Sequence, residues 1–344
     1  MILNLTEREK NILYFTVSEY ISTGIPVASR TIAKKYPVKI SAPSIRNIMS
    51  SLEEKGLLYQ PHVSAGRIPT DEGLSYFVDE LMIPEPISKE ETLSIEEKFK
   101  EIKSAINFWE KFGEFISEIT QQAVVIISPP PHLLTLREIR FIPISNKRLL
   151  VIMITSSGEI LNKVINLEFK ITRNELERIH NYLNSIIKDK SLVELRESLK
   201  IEIAHYSKIS SSWILKALKL GNKAVDNIWD PRIIIEGFSN LISQLSPDEQ
   251  SVIKNIISTI EKKEMILSLI DKIIDKGVVV YIGKKSPLKS FYGCSLIMTN
   301  YVVNNNYICT AGIIGSKRMN YPKVIPLIKL TRTLLRKVFL NEGY

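Results

Sequence analysis

Helix breakers divide the first 82 residues so closely that few folds remain open to them. Gly24 and Pro26 end one helical stretch and open a second, Pro37 ends the second, and Gly56 closes a third. Each stretch carries an apolar face at helical spacing: Leu13, Val17, Tyr20 and Ile21, then Ala28, Ile32, Ala33 and Tyr36, then Ile45, Ile48, Met49 and Leu52. Thr6 and Glu9 form a capping box at the first start. Ser41 suits the N-cap of the third helix, where Pro43 is tolerated because first-turn N–H groups have no helical partner. Residues 57–60 and a piece around Ile68 have strand character and flank the loop PHVSAGRIPT. Thr70 caps a further helix with Asp71 and Glu72 in its first turn and Leu74, Phe77, Val78 and Leu81 inward. Helix, helix, turn, helix, strand, loop, strand is the order of a winged helix-turn-helix, expected over residues 1–85. IPEPISKEE (83–91) reads as the linker out of it.

Beyond the linker, residues 94–121 are expected to be helical, with Ile95, Phe99, Ile102, Ile106 and Trp109 apolar. AVVII, EIRFIPI, LLVIMIT and EILNKVINL then read as strands, with SNK and SSG as turns. Capping boxes at Thr172/Glu175 and Ser191/Glu194 open two helices. Ile233-Ile234-Ile235 reads as an isolated strand, and SPDE (246–249) starts a long helical segment ending near Gly277. Strands return at GVVVYIG, CSLIMTNYV and YICTAGIIG before a helix from about Lys323. This is an α+β multidomain pattern: a sheet domain over 92–170 plus 250–344, interrupted by a mainly helical insertion over 171–249.

A net charge of +9 suggests an anionic partner, and its distribution says where. Residues 26–67 hold Arg30, Lys34, Lys35, Lys39, Arg46, Lys55 and Arg67 against only Glu53 and Glu54. With the apolar face of the third helix inward, Ser44, Arg46, Asn47, Ser50 and Ser51 project outward. An α-helix fits the major groove of DNA, where Arg pairs with guanine and Asn with adenine. Arg46 and Asn47 lie in the N-terminal half, the part of such a helix that meets base edges. The loop after it would be a wing: Gly66 for a tight tip at positive φ, Arg67 for a phosphate, and Ser64 as a neutral donor. His62 suits either a phosphate or the stiffening of the loop, and packing or a neutral hydrogen bond is preferred because histidine is mostly neutral at cytoplasmic pH.

Other functions lack a signal. No phosphate-binding, nucleophile-elbow or zinc-hydrolase motif occurs, and His62, His132, His180 and His205 lack metal-ligand spacing, so no enzyme, metal or cofactor is expected. GIIGSKRM reads as a turn after a strand rather than an anion site. Cys294 and Cys309 read as small buried residues of a protein in a reducing cytoplasm. No apolar run approaches a membrane span, and the N-terminus MILNLTEREK has no export signal.

GIPVASRTIA, SAPSIRNIMSSLEEKGLL and PHVSAGRIPTDEGLSYFVDEL resemble the N-terminal domain of the HrcA family of heat-inducible transcription repressors. LREIRFIPISNKRLLVIMITSSGEILNKVI, VVVYIG and GIIGSKRMNYPKVI resemble its later segments in order and spacing. The resemblance implies a winged helix-turn-helix, a GAF-like domain and an inserted dimerisation domain. It implies a homodimer on the inverted repeat called CIRCE upstream of chaperone operons such as groE and dnaK, released by heat and restored by a GroEL-type chaperonin. Carried over by position, the DNA contacts would be Ser41, Ser44, Arg46, Asn47 and Ser50 in the recognition helix, Ser29 and Arg30 in the helix before it, and His62, Ser64, Gly66 and Arg67 in the wing. The alternative is a regulator that senses a small molecule through the GAF-like domain, although no ligand signature is present. The chain departs from the family pattern at Ala28, Pro43-Ser44, Leu74-Ser75, Lys284-Lys285 and Gly315-Ser316-Lys317.

Overall fold

Local signals at the N-terminus become structure almost residue by residue. The computed structural model describes residues 4–103, 107–127, 135–156, 160–187, 190–206, 213–226, 233–245, 250–262, 265, 277–303 and 306–341. Helix α1 (Glu7–Thr23) opens on the capping box, the Glu9 N–H donating to Thr6 Oγ1 at 3.3 Å and the Thr6 N–H to Glu9 Oε2 at 2.9 Å. It stops at Gly24, whose φ of 71° is left-handed and cheap only for glycine. After α2 (Ser29–Lys35), α3 (Ala42–Glu54) is capped by Ser41, which accepts the Ser44 N–H at 3.3 Å. Strands β1 (Leu58–Tyr59) and β2 (Ile68–Pro69) form an antiparallel hairpin, and α4 (Asp71–Tyr76) continues into a π-helical turn over Phe77–Leu81.

Ile12, Leu13, Val17, Ile32, Ile45, Met49, Leu52, Leu57, Leu58, Leu74 and Phe77 are almost wholly buried and form the core of this head. Burying each such side chain contributes roughly 1.5–3 kcal/mol, which is what three short helices need to stay folded. The expected faces were somewhat too broad: Tyr20, Ile21, Ile48, Val78 and Leu81 are half-buried and Ala28 is exposed. The linker is also shorter than the 83–91 expected. Helix α5 (Lys89–Lys103) starts inside the charged run because Ser88 accepts the Glu91 N–H at 3.0 Å and holds the first turn. The single helix expected over 94–121 is two, with α6 (Phe108–Thr120) following Asn107.

A five-stranded sheet has the order β7–β3–β10–β9–β8, with β3 Ala123–Ile127, β7 Ile233–Glu236, β8 Val278–Ile282, β9 Cys294–Val303 and β10 Asn306–Ser316. Thus 233–236 is the edge of this sheet rather than an isolated strand. Cys294 and Cys309 are both buried in it. Helices α10 (Phe238–Gln244) and α11 (Gln250–Glu261) follow β7, and the closing helix begins at Tyr321. Ile106, the start expected at 246–249, residues 157–158 of the SSG turn with Glu159 after it, residues 263–264 and 266–276 of the long segment, and His132 lie outside the described residues.

The strands β4 (Leu136–Ser145), β5 (Arg148–Thr155) and β6 (Ile160–Asn166) belong elsewhere than expected. They make a separate antiparallel sheet whose inner residues Ile139, Phe141, Leu149, Val151, Met153 and Ile165 share one core with α7 (Arg173–Ile187), α8 (Leu192–Tyr206) and α9 (Trp213–Val225). The chain therefore divides near Ile127 and Ile233, not at 171 and 249. Strand sequences alone give no partner, and Ile139, Leu149 and Val151 fit either sheet until the helices that cover them are known. The second unit also includes Tyr301–Thr310 and Arg336–Tyr344; the head and most of the five-stranded sheet make the first.

Candidate nucleic-acid interface

Helix α3 presents a polar N-terminal half. Ile45, Met49 and Leu52 point into the head, so Ser41, Pro43, Ser44, Arg46 and Asn47 are exposed on the opposite side. Nearby Arg30 is exposed and Ser29 half-buried at the start of α2. Arg30, Lys34, Lys39 and Arg46 make no ion pair among the described residues, which leaves four cations directed at solvent. The other three basic residues of the region are committed. Lys35 meets Glu19 at 2.6 Å, Lys55 meets Glu9 at 2.6 Å, and Arg67 meets Glu53 at 2.8 Å.

Those pairs make the frame that holds α3. Glu9 is buried and also accepts from Ser51 Oγ at 2.8 Å. Its hydrogen bond from Lys55, helped by those from Thr6 and Ser51, outweighs burial and holds its carboxyl down at about 2. Glu19 accepts from Lys35 and from the Tyr36 hydroxyl at 2.9 Å; the Lys35 bond lowers the Glu19 pKa, while burial and the carboxylate push Tyr36 up to about 12. Tyr36 stacks on Phe15 with ring centroids 4.4 Å apart, tying the end of α2 to α1. One carboxylate thus fastens α3 to α1 and another fastens α2 to α1.

Three expectations for the loop need correction. Arg67 does not project to a phosphate: its side chain is only 11% exposed. Its Nε donates to Glu53 Oε2 and one terminal nitrogen donates to Ser50 Oγ at 3.2 Å. Ser50 and Ser51 are consequently turned to the head's own contacts, Ser50 toward the loop and Ser51 toward Glu9. Gly66 is not among the residues at positive φ. Its lack of a side chain serves a close approach instead. Val27 and Arg67 exchange both backbone hydrogen bonds at 2.9 Å, and a Cβ on Gly66 would sit 2.4 Å from the Val27 carbonyl. The hairpin loop is thereby stitched to the entry of α2.

Gln60 shapes the tip, donating from Nε2 to the carbonyls of Val63 at 2.9 Å and Ala65 at 2.8 Å, while its own N–H donates to Glu53. His62 and Ser64 are exposed, so His62 does not stiffen the loop by packing; its carbonyl does so by accepting the Ala65 N–H. Between them Val63 is 96% exposed. An apolar side chain held at the apex of a braced loop was missed in the sequence, where only the polar residues drew notice. Its signal was the lone valine between His62 and Ser64. Such a group suits apolar contact with a nucleic-acid groove or sugar.

The arrangement can place one helix's polar half and one loop tip against a polyanion, with Glu9, Glu19 and Glu53 each paired to a cation of the head. Among the described residues no cluster of His, Cys, Asp or Glu is placed to hold a metal, and no helix is long and apolar enough to cross a membrane.

Residues 108–325 match the family model described as the HrcA protein C-terminal domain. A heat-inducible transcription repressor HrcA of Sorangium cellulosum is 34% identical over 97% of this chain and 98% of its own. Its counterpart in Methylococcus capsulatus is 32% identical over 96% and 95%. A crystal structure of a hypothetical protein, 22% identical, aligns over 98% of this chain and 99% of its own with a TM-score of 0.59, a likeness of fold.

Proposed function

This chain belongs to the HrcA family, and from that membership we propose that it represses transcription by binding DNA through residues 4–82. The observation that carries the reading is the exposed, unpaired N-terminal half of α3, with Arg46 and Asn47 beside a braced loop. The head is then a winged helix-turn-helix, with α3 in the major groove and the loop from His62 to Arg67 as its wing. Arg46 and Asn47 read bases, Ser41 and Ser44 meet the backbone, and Ser29 and Arg30 hold a phosphate across the groove. His62, Val63 and Ser64 meet DNA at the wing, while Ser50, Gly66 and Arg67 act indirectly by setting its position.

The five-stranded sheet is assigned as the GAF-like domain. The protein acts as a homodimer on an inverted repeat of the CIRCE type upstream of chaperone genes, in the cytoplasm, with heat releasing it and a GroEL-type chaperonin restoring it. We place the dimer contact on the outer face of β4–β5–β6. Ile142, Val164 and Ile160 are exposed there, and Leu150, Ile152 and Ile154 are half-buried. The register sets Ile142, Leu150 and Val164 side by side and Ile154 beside Ile160, an apolar strip joined along β5 by Ile152, which has Arg140 and Asn162 to either side. Such strips mark association surfaces. This face lies outside the segment 171–249 expected to carry dimerisation.

Ligand sensing draws on one feature, a cleft of about 800 Å³ beside Phe141, Leu176 and His180 in the second unit. That is not the sheet domain in which a sensor was expected, and the alternative is not adopted. A reporter gene behind an inverted repeat tests the repressor reading in cells. Repression should vanish when the repeat is scrambled and lapse on heat shock; equal expression from both promoters would refute it.

A further inference from the structure

The head does not hang freely from its linker. Asp71, the first residue of α4, is largely buried, its side chain 13% exposed. Its Oδ2 accepts the backbone N–H of Lys284 at 2.9 Å, and its Oδ1 accepts from Lys317 Nζ at 2.7 Å. Gly283 allows this approach: its φ is 53°, and a Cβ there would lie 2.1 Å from Asp71 Oδ2. Lys284 follows β8 and Lys317 follows β10, so one carboxylate of the head is gripped by the turns at the ends of two strands of the sheet.

Further contacts line the same seam. Asp79 lies within the electrostatic reach of Lys285. The Glu85 N–H donates to the Pro322 carbonyl at 2.9 Å, and Asn320 Nδ2 donates to Glu85 Oε1 at 3.3 Å. The Arg318 guanidinium occupies the space where a Cβ of Gly24 would stand, between α1 and α2. Apart from the Glu85 N–H, the head supplies acidic acceptors here and the other side supplies basic groups and N–H donors. Lys284-Lys285 and Ser316-Lys317 are also two of the places where the chain departs from the pattern of the family it resembles.

We propose that Asp71, held by Lys317 and the Lys284 N–H, is a positioning residue that fixes the orientation of α3 on the sheet domain and so sets which half-site spacing the dimer accepts. The inference rests on the repressor reading above. Two reading helices fit half-sites about one helical turn apart only when each head is held at a fixed angle. Without the contact, residues 82–88 would tether the head as a short spacer and several spacings would be reached. Asp71 touches no DNA in this account; it acts through the placement of α3.

The test uses the full-length protein and duplexes with identical half-sites whose separation is changed in single steps, up to about half a turn, ~5 base pairs. Wild type should prefer one spacing by roughly tenfold or more over the half-turn duplex, as expected when one of two half-sites is lost. Lys317→Met and Asp71→Asn should each cut that ratio to about one to threefold while binding to a single half-site stays within about twofold, because the base contacts are untouched. Lys317→Arg should restore the preference, since it keeps the charge. Equal ratios in wild type and both disruptive variants would overturn the proposal, as would a wild type that binds the repeat specifically but at every spacing alike. A wild type that binds the repeat no better than scrambled DNA would instead overturn the repressor reading, so the two failures are distinct.

Discussion

Arg67 Nε lies 2.8 Å from Glu53 Oε2, and through that pair the loop after β1 is fastened to the C-terminal half of α3. The contact replaces an expected phosphate anchor with an internal brace. Arg67→Ala should therefore weaken DNA binding by loosening the loop, with the slope of log affinity against log salt unchanged. A lost phosphate contact would flatten that slope by about one. Stability in urea should fall by about 1–3 kcal/mol, and Glu53→Ala should add little to it in the double variant, the mark of a coupled pair. A slope lowered by one in Arg67→Ala would restore the phosphate assignment.

Arg46 carries no ion pair among the described residues, so its truncation leaves no orphan inside the protein. Arg46→Ala should leave the melting temperature almost unchanged, cost about 1–3 kcal/mol of operator affinity, and relax preference at one base pair. The check is a titration against duplexes altered at single positions. Uniform loss over all of them would make Arg46 a backbone contact.

Glu9 is held at about 2 in the folded head against an ordinary value of 4.5. A depressed carboxyl contributes stability that is fully present above its unfolded pKa and is lost as pH falls through the folded one. The head should therefore lose stability between about pH 4.5 and 2, with Glu9 a leading contributor. Glu9→Gln should lower stability at pH 7 and flatten this acid limb. Urea unfolding at several pH values reads it, and an unaltered limb in the variant would count against the assignment.

Two glycines of the head should respond oppositely to asparagine. Gly56 has φ 74° and open space where a Cβ would stand, so Gly56→Asn should be nearly neutral. Gly66 is confined by the Val27 backbone, and no left-handed preference can help it. Gly66→Asn should cost more than about 1 kcal/mol and detach the loop from α2. Thermal melts of both variants decide between close approach and positive φ as the reason for Gly66.

The outer face of β4–β5–β6 gives a fifth test. Val164→Glu, placed beside Leu150 in the ladder, should leave the fold intact and convert the proposed dimer to monomer. Light scattering at matched concentration measures this, and an unchanged mass would move the dimer contact elsewhere.

Signals that act within a few residues could be read directly in the chain. Thr6/Glu9, Ser41, Thr70, Thr172/Glu175 and Ser191/Glu194 all cap where expected, because a cap involves only its own first turn. The exposed half of α3 followed from one apolar face of Ile45, Met49 and Leu52. What failed depended on distant partners. Arg67 and Ser50 look like DNA ligands until Glu53 is seen to be within reach, and β4–β6 look like part of one sheet until α7–α9 are seen to cover them. Lys317 was legible only as part of a turn after a strand, since its partner Asp71 lies 246 residues away.

The most direct test of the account is the affinity of the full-length protein for an inverted repeat and for a scrambled duplex of equal length and composition at matched salt. The account predicts that the repeat binds at least about 10³-fold tighter near physiological salt, with a 2:1 ratio of chains to duplex. Equal affinities for the two duplexes, with the same salt slope, would contradict it.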